Sequence, residues 1–200
     1  KKRMNWFLEN RADLARHVSY LELDTEHECN HAHRLLAIPS EDRLRRAVAL
    51  MMNESEFLSP FGVRSLSRWH ELHPFTMRMG GASCRVAYEP GESQSTMFGG
   101  NSNWRGPVWL PINYLFIHAL RQYGRFYGDR LTVPHPKADQ GPLALVEAAD
   151  EIASRCLRLF MPSESATRPC NQALGALAGR DNWHDMIFFH EYFHADTGKG

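Results

Sequence analysis

Gly99-Gly100-Asn101-Ser102-Asn103-Trp104-Arg105-Gly106-Pro107-Val108-Trp109 leads into an apolar series, Ile112, Leu115, Phe116, Ala119 and Tyr123, that repeats with the period of one helix face. Pro107 or Pro111 suits a first helical turn, so the spacing predicts a helix from one of them to about Tyr127. The residues before it, Glu89 to Arg105, are rich in Gly, Ser and Asn and read as a long loop, which inside a compact domain usually serves function. The Trp/Arg/Asn cluster therefore sits at a helix mouth.

Toward the N-terminus, Ser40-Glu41-Asp42 offers an N-cap and two first-turn acids ahead of Leu44, Ala47, Val48 and Met51, again one helical face. Met4 to Leu14 reads as the end of a helix, followed by a polar stretch. Phe75 to Met79 and Cys84 to Tyr88 flank Gly80-Gly81 as a small hairpin. Toward the C-terminus, Leu145, Ala149, Ile152, Cys156, Leu159 and Phe160 define another amphipathic helix, closed by Pro162. Residues 163–180 read as loop, and Trp183, Ile187 and Phe188 begin a last helix with Glu191 near its end. Helix, long decorated loop, helix is the pattern of an all-α chain with a small β-hairpin insertion.

At 200 residues and 43% hydrophobic, the chain can bury one ordinary core, so a single domain or a large piece of one is expected. Basic and acidic residues balance at 23 each, which favours neither nucleic acid nor an acidic membrane surface and fits a neutral polar ligand better. No apolar run approaches the roughly 20 residues that span a bilayer. Cys29, Cys84, Cys156 and Cys170 form no C-x-x-C pair, which argues against a zinc ribbon and leans toward a reducing, cytoplasmic setting. The sequence opens on Lys1-Lys2-Arg3-Met4, as if inside a helix, and stops on Gly198-Lys199-Gly200 in mid-motif, so it reads as a fragment.

Trp104, Trp109, Arg105, Asn103 and Asn101 are the residue types of carbohydrate sites: indoles cover the C–H face of a pyranose, and guanidinium and amide groups fork onto its hydroxyls. Gly106, like Gly99 and Gly100, lets backbone approach a ligand. The alternative is that both indoles anchor the core and the glycines merely turn the chain. Glu191 follows Ile187-Phe188-Phe189 and lies between His190 and Tyr192, so it is either a carboxylate of raised proton affinity suited to general-base work or a solvated helix-end acid. His190-Glu191-Tyr192-Phe193-His194 also spells H-E-x-x-H, in which two His at i and i+4 of a helix bind zinc. Against that reading stands the glycine-containing turn directly after His194. His27, Cys29, His31 and His33 crowd a polar segment, but i, i+2 spacing suits a solvated loop better than a closed metal site.

Six stretches in this order carry a family resemblance: Arg3 to Asn10, Glu41 to Arg46, Glu56 to Arg68, Tyr88 to Ser93, Gly99 to Trp109, and Glu191-Tyr192-Phe193-His194 before Asp196-Thr197-Gly198. Together they resemble glycoside hydrolase family 63, in particular the microbial and fungal proteins related to processing α-glucosidase and mannosylglycerate hydrolase. The resemblance implies an (α/α)6 barrel, of which residues 1–200 would be an incomplete, C-terminal part of the catalytic domain. It implies an inverting hydrolase that uses no cofactor or metal and acts on an oligosaccharide or small glycoside. Glu191 matches the family's general base. Trp104, Arg105, Gly106 and Trp109 match its Trp-Arg-Gly-Pro-x-Trp element lining the sugar pocket, with Asn103 and Tyr192 beside it, and Arg64 matches its Gly-x-Arg-Ser-Leu-Ser element. The family's general acid is an Asp on an earlier helix pair; no segment here matches it, so it is expected upstream of Lys1. Ala195 stands where relatives often have Gly. A zinc peptidase and a noncatalytic carbohydrate-binding relative are the competing readings.

Overall fold

The computed structural model describes residues 2–23, 33–93, 104–162, 167–180, 183 and 186–200. Five α-helices are present among them: α1 (Lys2–Asn10), α2 (Ala12–Ala15), α3 (Glu41–Met51), α4 (Leu110–Tyr127) and α5 (Leu145–Arg158). Eight short strands form four antiparallel pairs: β1 (Ser19–Leu23) with β2 (His33–Ala37), β3 (Leu58–Ser59) with β4 (Gly62–Val63), β5 (Phe75–Met79) with β6 (Ala82–Val86), and β7 (Thr132–Val133) with β8 (Leu143–Ala144).

The long periodic segments fold as their spacing predicts. α4 and α5 make the main helix contact, and α3 adds Leu44 and Val48 to the same core, which includes Leu120, Phe126, Leu131, Leu145, Ala149 and Ile152. Trp109 is the N-cap position of α4, and Pro111 lies in its first turn, where a missing N–H costs nothing. Glu147 reaches back to accept from the Ala144 backbone N–H at 2.7 Å, closing the start of α5. Ser40 occupies the N-cap position of α3 in extended conformation, but its hydroxyl makes no capping bond.

Two buried polar side chains fasten small strands to these helices. Asn113, on the first turn of α4, accepts from the Val63 N–H at 2.7 Å and donates to the carbonyls of Val63 at 3.1 Å and Trp109 at 2.8 Å. Arg155 on α5 donates to Glu151 at 2.7 Å, to the Ser59 carbonyl at 2.9 Å and to Glu54 at 2.6 Å. Each satisfies backbone groups that the two-residue pair β3–β4 leaves open.

Several expectations are corrected. The all-α class gives way to a mixture of helices and small strand pairs, because the two-residue strands are too short to show a period of two and nothing in the sequence joining β1 to β2 marks a hairpin turn. The polar stretch after Leu14 contains β1 and β2, in register from Ser19 opposite Ala37 to Leu23 opposite His33. The first helix breaks at Arg11, whose φ of −130° and ψ of 50° are not helical. Residues 169–179 are not plain loop but 3-10 turns kinked at Gly175. No helix runs through residues 186–193: within that apolar run the Phe193 backbone pairs with Val108 in the α4 entry segment, and the Met186 carbonyl accepts from the Asn171 side chain. The His27, Cys29 and His31 cluster lies outside the described residues.

The hairpin at Gly80-Gly81 folds as expected, with Phe75 opposite Val86 and Met79 opposite Ala82. Gly80 and Gly81 have φ of 55° and 84°, the left-handed pair that a two-residue hairpin turn requires. A Cβ at either would meet nothing within 4 Å, so substitution there costs conformation alone. Gly81→Ala is expected to cost the hairpin about 1–2 kcal/mol, read as roughly 5- to 30-fold faster amide exchange in β5 and β6.

Candidate active site

Three motif segments, distant in sequence, meet at Val108. Its N–H donates to the Phe193 carbonyl and its carbonyl accepts from the Phe193 N–H, both at 2.9 Å, while an antiparallel bridge on the other side joins it to Arg64. Ser65 N–H donates to the Pro107 carbonyl at 3.1 Å, and Gly106 N–H to Ser65 Oγ at 2.9 Å. Val108 and Phe193 are fully buried, Phe193 against Leu159 and Cys170. Residues next to them in extended backbone point the other way. So Trp109 faces Tyr192, with ring centroids 6.1 Å apart, and Trp104 stacks on Trp109 at 4.4 Å with planes 12° apart. Trp104 remains 60% exposed.

A fourth segment, Tyr88 to Ser93, braces this junction. Glu89 N–H donates to the Arg105 carbonyl at 2.7 Å, and Ala195 N–H to the Pro90 carbonyl at 2.9 Å. Buried Arg105 donates to Glu89 at 3.1 Å and to Ser93 Oγ at 2.8 Å. Tyr192 donates its phenol to Glu92 at 2.7 Å; burial, reinforced by that carboxylate, pushes the phenol up to about 12. Burial likewise pushes Tyr88 up to about 12, so it stays a neutral donor. These partners were not legible in the sequence, although Tyr88 to Ser93 is one of the stretches carrying the resemblance.

Two cavities flank the junction. An apolar one of about 390 Å³ is lined by Leu50, Met51, Phe57, Phe116, Trp104 and Trp109, with Arg64 and Ser65 at its wall. A polar one of about 380 Å³ is lined by Tyr88, Glu89, Glu92, Ser93 and His194. Glu191 is exposed and lines neither. Among the described residues no hydrogen bond or ion pair engages its carboxylate, and its charge acts on the adjoining Tyr192. The structure thus gathers Trp104, Trp109, Tyr192 and the backbone of Arg64 and Gly106, and it turns the Arg105 and Arg64 guanidinium groups inward. Asn103 and Asn101 lie outside the described residues.

The H-E-x-x-H reading loses its geometric premise, since residues 190–194 form no helix to bring the two imidazoles onto one face. His190 meets Phe193 edge-on at 5.8 Å. His194 Nδ1 accepts from the Asp196 N–H at 3.2 Å, and burial lowers the pKa of its ring. Among the described residues no group of three or more His, Cys, Asp or Glu is placed to hold a metal ion.

Residues 34–200 match the family described as the mannosylglycerate hydrolase MGH1-like glycoside hydrolase domain. Over its whole length the chain is 39% identical to Uncharacterized protein YMR196W of Saccharomyces cerevisiae, of which it covers 18%. It is 24% identical, over 79% of its length, to a probable mannosyl-oligosaccharide glucosidase of Schizosaccharomyces pombe, covering 13% of that protein. A mannosyl-oligosaccharide glucosidase of Saccharomyces cerevisiae is 33% identical over 40% of the chain, which covers 7% of it. The chain therefore spans less than a fifth of the length of these relatives. With the match running from β2 through the Val108 junction to the last residue, the chain belongs to the MGH1-like glycoside hydrolase domain family, which is similar to glycoside hydrolase family 63.

Proposed function

We propose that the whole protein is an inverting α-glycosidase acting on α-glucosides or related α-glycosides, with Glu191 as its general base. The observation that carries the reading is the Val108 junction, which ties the Trp104–Trp109 stack and the segment bearing Glu191 into one hydrogen-bonded unit. The exposed indole of Trp104 offers an apolar face to the C–H side of a sugar ring. Inversion needs a carboxylate that takes a proton from water and, about 6.5–9.5 Å away, a carboxylic acid that protonates the departing oxygen. Glu191, solvated and unpaired among the described residues, suits the first role, and an Asp outside these 200 residues supplies the second. On this reading α3, α4 and α5 belong to the C-terminal part of an (α/α)6 barrel, and residues 1–200 alone are inactive.

The test is stereochemical. Full-length protein incubated with α-D-glucosyl fluoride or α-D-mannosyl fluoride should release the β-anomer first, as followed by proton NMR before mutarotation. First release of the α-anomer would refute inversion. Binding of the sugar with no hydrolysis of either fluoride would replace an enzyme with a carbohydrate-binding protein.

A further inference from the structure

We infer that Arg64 is a positioning residue that acts through Asp196 on the segment carrying Glu191, rather than a ligand of the sugar. The inference rests on the reading of Glu191 as general base. The Arg64 side chain is 2% exposed, and its donors are directed into the protein. Nε donates to the Tyr88 hydroxyl at 2.9 Å, and Nη1 to the carbonyls of Leu58 and, at 3.4 Å, Glu54. Nη2 donates to Asp196 Oδ1 at 3.1 Å. The second carboxylate oxygen, Asp196 Oδ2, accepts from Tyr88 at 3.4 Å, so both oxygens of Asp196 are held. A substrate hydroxyl would have to displace one of these partners from an arginine side chain that is almost wholly buried, although Asp196 itself is about one-third exposed.

What the clamp holds is the ribbon bearing Glu191. Backbone bonds fix this ribbon at Phe193, to Val108, and at Ala195, to Pro90. Beyond them the chain folds back on itself: His194 N–H donates to the Lys199 carbonyl and Gly198 N–H to the His194 carbonyl, both at 2.8 Å. Asp196 lies inside that turn and is its charged link to the β4 side of the molecule. Arg64 thus reaches the ribbon twice, by backbone through Val108 and by side chain through Asp196. Losing the second contact leaves the ribbon attached but free to tilt, and displacement of a reacting group by about 1 Å can cost 100-fold in rate.

The experiment uses the full-length protein and whichever of α-D-glucosyl fluoride and α-D-mannosyl fluoride it hydrolyses, assayed well below the unfolding temperature of each variant. Arg64→Lys keeps the charge and loses the fork; Asp196→Asn keeps the shape and loses the charge. Each is expected to lower kcat about 10- to 100-fold with KM within about threefold of wild type. The double variant should be no slower than the worse single one, because both changes break one contact. A KM raised tenfold at unchanged kcat would overturn the inference and make Arg64 a sugar ligand. Unchanged kcat and KM with only a lower unfolding temperature would also overturn it, leaving a purely structural pair. Glu191→Gln run in parallel separates the two levels: wild-type turnover there removes the base assignment itself, whereas lost turnover there with unaffected Arg64 and Asp196 variants removes only the positioning role.

Discussion

Glu191→Gln in the full-length protein is expected to slow hydrolysis of whichever glycosyl fluoride it accepts, α-D-glucosyl or α-D-mannosyl, by about 10²- to 10⁴-fold, the range over which a positioned proton acceptor contributes. Glutamine keeps the length and hydrogen-bonding capacity of the side chain but cannot take the proton that water loses as it attacks. Fluoride leaves without needing protonation, so this substrate isolates the base from the acid. Glu191 is exposed, and no described residue bonds its carboxylate, so the change should alter stability by no more than about 0.5 kcal/mol. KM should stay close to wild type, since the aromatic platform is untouched. Steady-state kinetics alongside a thermal melt decides the matter; turnover within threefold of wild type sinks the assignment.

Gly106→Ala should have the largest effect on folding. Gly106 has φ of 152°, a backbone region closed to side chains, and a Cβ there would lie 2.5 Å from the Glu89 carbonyl oxygen and 2.8 Å from both its carbon and the Tyr88 ring. These obstacles cannot drift away, because Glu89 N–H is bonded to the Arg105 carbonyl and Gly106 N–H to Ser65 Oγ. Backbone strain of about 1–3 kcal/mol adds to overpacking of about 1–3 kcal/mol. A loss of roughly 2–6 kcal/mol in urea unfolding is expected, above that for Gly81→Ala, where the new methyl meets open space. An unchanged midpoint would mean that the brace between residues 88–89 and 105–106 does not hold.

What could be read in advance follows the range of the forces involved. α3, α4 and α5 were legible because burial repeats every turn along them, and the β5–β6 hairpin because two adjacent glycines mark its turn. β1 and β2 escaped because the residues joining them carry no two-residue turn signal. The non-helical course of residues 186–193 escaped because its apolar spacing also fits a helix, and the partner of Phe193, Val108, lies far away in sequence. At the site, Trp104 and Trp109 were chosen by residue type and Tyr192 through the family resemblance, and the three rings do come together. The residues that immobilise them could not be chosen that way: Asp196, Tyr88, Glu89 and Glu92 owe their roles to contacts across the fold.

Val108 bridges to Arg64 on one side and to Phe193 on the other. Neither partner is a neighbour along the polypeptide, so no local turn can preassemble this knot, and long stretches must lose entropy before it gains any contact. The helices rest on local contacts, whereas the hollow beside Val108 depends on pairings that must first close long loops. Until then the indoles and the greasy wall of Leu50, Met51 and Phe116 lie open, the moment at which a nascent chain is most exposed to self-association or to capture by a chaperone.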